Sequence, residues 1–219
     1  FNEQRFRHHS AERTVSDVAY LVEHFGVNAV FFEDDYFFGN PRRVEEICDL
    51  LIEKELKCLI QVPCRVDYLH RQDDEMIDKL YRAGFKELWV SPESGSPERL
   101  KEILKRTTLE QVRKVNRLLS RSDVYVKYGF MAGFPNEERE ETLQTVDFMF
   151  ELLSTNPGAG TAPVAIYTPY PGTTLYDKSR LVHGMEFPDT LEGWSHFHFG
   201  ENNNPFLSPS QKKFISKIN

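Results

Sequence analysis

The side chains best suited to chemistry fall in five short clusters. They are Glu33-Asp34-Asp35, Pro63-Cys64-Arg65, Pro92-Glu93-Ser94-Gly95, Gly133-Phe134-Pro135 and Thr168-Pro169-Tyr170-Pro171-Gly172. Each mixes polar groups, Gly or Pro. The acidic trio offers oxygen donors of the kind that hold Mg²⁺. Arg65 suits an anion, or equally a rim salt bridge to Asp67. Glu93 precedes Ser96-Pro97-Glu98, where a helix N-terminus favours a carboxylate with or without a ligand. Gly95 permits close backbone approach, or simply serves the turn. The histidines His8, His9, His70, His183, His196 and His198 suggest a metal only weakly. Their best trio is His196, His198 and Glu201, and loop or surface histidines are the plainer reading.

The clusters share one structural position, the end of a strand. Apolar runs begin near residues 28, 58, 86, 124 and 161 and read as strands Asn28–Phe32, Cys58–Val62, Glu87–Ser91, Val124–Met131 and Ala162–Tyr167. The first is continuously apolar, as expected of a strand covered on both faces. Helical patterns lie between them. One spans Ser10 to Phe25 with Ser10 as N-cap and Gly26 as terminator. Others start at Pro41, span Asp73 to Ala83, start at Ser96-Pro97, start at Thr108 with Gln111 in a capping box, and span Glu138 to Leu153. Asn156 to Gly160 reads as a loop. After Leu175 the pattern decays, with one more helix beginning near Pro209.

A regular βα period predicts parallel strands joined by helical crossovers. Parallel strands put their ends on one rim, so distant clusters meet. An open sheet gathers strand ends only at its switch point, whereas a curved one gathers them all; five loaded ends favour curvature. A closed eightfold barrel needs about 250 residues, and five βα units are too few.

The chain has 219 residues and a net charge of −7, which argues against a nucleic-acid partner. No apolar run approaches the roughly 20 residues of a membrane span. The three cysteines, Cys48, Cys58 and Cys64, show neither disulfide nor zinc spacing and suit a reducing, cytoplasmic setting.

In this order the motifs resemble the core domain of radical S-adenosylmethionine (SAM) enzymes, in the branch that often carries a cobalamin-binding domain. The resemblance rests on Arg5-Phe6-Arg7-His8-His9-Ser10-Ala11-Glu12, Phe32-Glu33-Asp34-Asp35-Tyr36-Phe37, Arg65-Val66-Asp67 and Ala83-Gly84-Phe85. It continues through Ser91-Pro92-Glu93-Ser94-Gly95-Ser96, Lys105-Arg106-Thr107-Thr108, Phe130 to Glu137 and Thr168 to Thr173. It covers roughly residues 5 to 180. It implies an α/β fold of parallel βα repeats, an incomplete (β/α)₆ partial TIM-like barrel holding strands two to six. Residues 1–180 would form the core, and 181–219 an extension that covers the barrel or leads to a further domain.

The resemblance also implies cofactors and roles. Glu93 would bind the ribose hydroxyls or methionyl amine of SAM, with Ser94 and Gly95 beside it. Arg65 would reach its carboxylate or a substrate anion, and Lys105 its carboxylate, although a solvated lysine is the plainer reading of Lys105. Met131, Ala132 and Gly133 would flank adenine, joined by Tyr167 and Thr168; Asp35 is assigned to the site more weakly. A [4Fe–4S] cluster belongs to the intact protein, and the branch adds cobalamin as an open alternative. Implied partners are a small-molecule substrate and an electron donor such as flavodoxin or ferredoxin.

One departure stands out. The family's CxxxCxxC loop is absent, and the spacing of Cys48, Cys58 and Cys64 cannot replace it. The expectation is a chain truncated just after the cluster loop, with no metal ligands of its own and inactive alone. The intact enzyme would cleave SAM reductively for methyl transfer, rearrangement or sulfur insertion. Rival readings are a methylthiotransferase-type enzyme acting on RNA or protein, a cluster-free SAM-binding module, and a metal-dependent barrel hydrolase built on the acidic trio and histidines.

Overall fold

The computed structural model describes residues 7–181, 185–196, 204 and 206–218. Helix α1 (Ala11–Phe25) is capped by the Ser10 hydroxyl, which accepts from the Arg13 amide, and ends at Gly26 with φ +64°. It leads to β1 (Ala29–Phe31), a 3₁₀ turn (Phe37–Gly39) and α2 (Pro41–Glu53). Next come β2 (Leu59–Pro63), the one-turn α3 (Val66–Leu69), α4 (Asp74–Arg82) and β3 (Phe85–Glu93). Then follow α5 (Pro97–Glu102), α6 (Leu109–Leu119), β4 (Tyr125–Ala132) and α7 (Arg139–Thr155). The chain continues through β5 (Ala159–Thr161), β6 (Ala165–Ile166), α8 (Thr174–Leu181), α9 (Leu191–Ser195) and α10 (Pro209–Ile218).

All strands pair in parallel in the order β1-β2-β3-β4-β5, with β6 also on β4. Sequential order without reversal sends every crossover the same way, so the helices gather on one face. Alternate strand residues record this. Ile60, Val62, Leu88, Val90, Val126, Tyr128 and Phe130 are buried under the helices with Ile47, Leu80, Val112 and Leu119. Each fully buried aliphatic side chain contributes roughly 1.5–3 kcal/mol. The Tyr128 hydroxyl donates to Asn116 Oδ1 at 3.0 Å, so this buried polar group is satisfied.

The opposite face is open. It carries Ala29, Phe31, Leu59, Gln61, Glu87, Trp89, Ser91, Tyr125 and Lys127, all exposed or half-buried. The first strand is therefore not covered on both faces, as its apolar run predicted; Phe31 is 36% exposed. Two further expectations need correction. The last strand is not one run from Ala162 to Tyr167 but two short pieces, β5 and β6, split around Pro163, which has no amide to donate to a ladder. Ala159 and Gly160, read as loop, form part of β5. The single turn α3 carried no helical period long enough to see.

Candidate functional site

The rim at the strand C-termini is built from backbone that departs from regular geometry. The β3–β4 register shifts between Val90 and Glu93, and Glu93 itself has φ +75°. A non-glycine residue in that region costs on the order of 1–3 kcal/mol. Leu104 and Arg106, on either side of Lys105, both have φ +54°. These turns bring Lys105 Nζ to Glu93 Oε1 at 2.8 Å, with the two side chains only 26% and 21% exposed.

This pair lies in a cavity of about 400 Å³. Met131 from the end of β4, Tyr167 and Thr168 from the end of β6, and Phe134 form its other walls, with Leu104, Tyr170 and Leu175 at its edge. Phe134 stacks on Tyr167, their centroids 4.8 Å apart at 27°. Burial pushes the Tyr167 phenol up to about 12, so it stays a neutral donor across the physiological range. The cavity thus pairs a charged corner with a flat apolar and aromatic wall. Of the residues expected from sequence, Glu93, Lys105, Met131, Tyr167 and Thr168 come together here.

Arg65 and Asp35 line a smaller neighbouring cleft of about 110 Å³, shared with Tyr36, Trp89, Ser91 and Lys105. Lys105 borders both spaces. Arg65 makes a two-point pair with Asp67 at 3.0 and 3.1 Å and lies 5.3 Å from the Tyr36 ring centre. The hydrogen bond to Arg65 holds the Asp67 carboxyl below its usual range. The rim salt bridge foreseen as one reading of Arg65 is therefore present.

The remaining expected residues face elsewhere. Ser94 is buried with its hydroxyl 3.2 Å from Thr145 Oγ1, and the Gly95 amide donates to the same oxygen at 3.0 Å. A Cβ on Gly95 would sit 2.5 Å from the Gln144 carbonyl oxygen, so this glycine seats the loop against α7 and does not line the cavity. Ala132 is buried and its carbonyl accepts from the Tyr167 amide at 2.8 Å. Gly133, at φ +85°, donates its amide to Glu137 Oε2, while its carbonyl accepts from Asn204 Nδ2 at 2.7 Å. Asn204 also donates to the Tyr167 carbonyl at 2.9 Å, so it ties the ends of β4 and β6 together.

Glu137 was not singled out in the sequence. It accepts from the Gly133 and Phe134 amides and the Thr142 hydroxyl, and burial raises its carboxyl pKa above the usual value. Phe134 and Tyr170 also went unassigned, although both lie inside quoted motifs. Gln61, Glu87 and Lys127 were a further missed signal: a polar residue inside each of three apolar strands, all on the same face, marks that face as open.

The acidic trio diverges. Asp34 faces a cavity near Arg43, while Asp35 faces the Arg65 cleft. Among the described residues no three His, Cys, Asp or Glu side chains stand where they could share a metal ion. His183, His198 and Glu201 lie outside the described residues, as do Arg5 and Phe6. The cysteines do not fit an iron–sulfur cluster either. All three are buried on or beside separate elements, and burial raises every thiol, Cys48 to about 12. No helix among the described residues is long and apolar enough to cross a membrane.

Sequential parallel strands, helices on one face of the sheet and a cavity at the strand ends define a partial βα barrel. Residues 1–149 match the model of the Radical SAM superfamily, and the chain belongs to that superfamily. It is 28% identical over 174 residues to an uncharacterized methyltransferase of Pyrococcus horikoshii, covering 80% of this chain and 36% of that protein. Among solved structures, the apo form of the cobalamin-dependent S-adenosylmethionine radical enzyme OxsB superposes with a TM-score of 0.69 at 18% identity. That match covers 99% of this chain and 37% of that one. The radical SAM methyltransferase TsrM from Kitasatospora setae, solved with cobalamin and a [4Fe–4S] cluster, gives 0.64 at 17% identity, covering 78% and 34%. At such identities the likenesses show the fold, a partial radical SAM barrel. The chain spans about a third of the length of these proteins.

Proposed function

We propose that this chain holds SAM for a radical SAM enzyme of the cobalamin-associated type, which modifies a small-molecule substrate by methyl transfer, rearrangement or sulfur insertion. The observation that carries this reading is the meeting of the Glu93–Lys105 pair with Met131, Phe134, Tyr167 and Thr168 in one cavity. SAM asks for that combination. Its amino-acid end is zwitterionic and suits a carboxylate beside an ammonium, and its adenine suits a flat apolar wall. Lys105 would take the carboxylate, Glu93 the amine or a ribose hydroxyl, and Met131 and Tyr167 the base. When bound, SAM supplies the radical chemistry; the protein binds it, orients it and excludes water.

Equilibrium dialysis of SAM against the chain tests the proposal. Saturable binding is expected, weakened about tenfold in Glu93→Gln, the usual scale of one charge-assisted hydrogen bond. Unchanged affinity in that variant would remove Glu93 from the site.

A second reading, a cluster-free SAM-binding module, is favoured by the misfit of the three cysteines. It requires SAM to bind in the absence of iron. Binding seen only with a reconstituted cluster in a longer chain excludes it.

A further inference from the structure

Beside the cavity lies a buried cation that the SAM reading does not use. Arg99 of α5 is 3% exposed and does not itself line the cavity. Its Nη1 donates to Glu102 and to the Pro135 carbonyl, the latter at 3.2 Å, and its Nη2 donates to Glu141 Oε2 at 2.8 Å. Its Cζ lies 5.4 Å from the centre of the Phe134 ring. Its Nε is buried with no hydrogen-bond partner among the described residues. Both carboxylates are themselves tied down. Glu102 also accepts from Lys178 of α8. Glu141 accepts from the Ser96 hydroxyl at 3.3 Å and from the Glu138 amide at 3.1 Å.

Stability alone does not account for this group. The desolvation of a buried ion pair can exceed its Coulombic gain, and an apolar side chain of similar volume would pack here without orphaning a donor. What a guanidinium adds is direction. Its planar fork fixes acceptors on three segments: α5, the β4–α7 loop and the first turn of α7. Its charge attracts the Phe134 ring. Two of those segments border the cavity, α5 through Glu102 and the loop through Phe134. Phe134 in turn stacks on Tyr167.

We propose that Arg99 is a positioning residue: it holds Phe134 against Tyr167 and so sets the flat wall that receives the purine base, without touching the ligand. Arg99 then governs the base half of the ligand, while Glu93 and Lys105 govern its amino-acid half. The proposal rests on the SAM reading for the identity of the base, but its effect on the wall is independent of any ligand.

The test compares the chain with Arg99→Met and Arg99→Lys. Crystal structures without ligand should show the Phe134–Tyr167 stack intact in the parent and opened by more than about 1 Å in both variants, since lysine keeps the charge but lacks the fork. In equilibrium dialysis, 5′-methylthioadenosine carries the base without the amino-acid end. Its affinity should fall about tenfold in both variants. S-methylmethionine carries the amino-acid end without the base and should bind all three proteins within about threefold. A merely structural role would weaken both probes together. An unmoved stack, unchanged affinity for 5′-methylthioadenosine, or equal losses for the two probes overturns the proposal. Arg99→Lys retains the buried charge and decides the matter where Arg99→Met does not fold. Failure of SAM to bind the parent would sink the SAM reading, while the ligand-free structures still decide whether Arg99 places the wall.

Discussion

At the residue scale, one carboxylate gives the clearest pH signature. Glu137 is buried and its folded pKa lies above its ordinary 4.5, with desolvation outweighing its three hydrogen bonds and the field of Arg99. A raised acid pKa means that the folded state holds its proton more tightly than the unfolded chain. This stabilising effect is full below about pH 4.5 and fades as pH rises through the folded pKa. The stability of wild type relative to Glu137→Gln should therefore fall between pH 4 and pH 7 in urea unfolding. A rise over that window would contradict the burial argument. Glu137 shows what the sequence hid. Nothing in Gly133 to Glu137 says that the last residue folds back onto the amides of the first two. Glu93 and Lys105 were legible because motif order placed both on the rim, yet their direct pairing depends on three residues at positive φ, which no residue type announces.

At the element scale, the strands and most helices followed from period and caps. Ser10, Pro41 and the Thr108/Gln111 box sit where their chemistry puts them. The last strand did not follow, because Pro163 breaks the run that hydrophobicity alone joins, and Ala159 and Gly160 lie in β5 rather than in a loop. A Cβ on Gly160 would fall 1.9 Å from the Tyr125 hydroxyl oxygen, the far end of an exposed side chain that would have to swing aside. At Gly95, on the β3–α5 junction, the obstacle is the α7 backbone rather than a movable side chain. Gly95→Ala should destabilise the fold by roughly 1–3 kcal/mol, the usual cost of overpacking, read as a lower urea midpoint with unchanged m-value. A midpoint equal to wild type would show that α7 yields freely.

At the scale of the whole molecule, strand order decides everything. Sequential parallel strands leave one sheet face open and bring five ends to one rim, which turns residues 35 to 168 into neighbours. The open face was the main thing missed, because an apolar first strand suggested cover on both sides while Gln61, Glu87 and Lys127 marked the opposite. The same architecture scatters the cysteines. Anaerobic reconstitution of this chain with iron and sulfide should give no stable [4Fe–4S] absorption or paramagnetic signal, since three buried, protonated thiols on separate elements cannot converge. A stable cluster would require refolding around the metal and would revise that view.

The most direct measurement is the crystal structure of the chain soaked with SAM. The account predicts density in the rim cavity, its amino-acid end at Glu93 and Lys105 and its adenine against Met131 and Tyr167. SAM bound on any other surface, with the Glu93–Lys105 pair untouched, would contradict it.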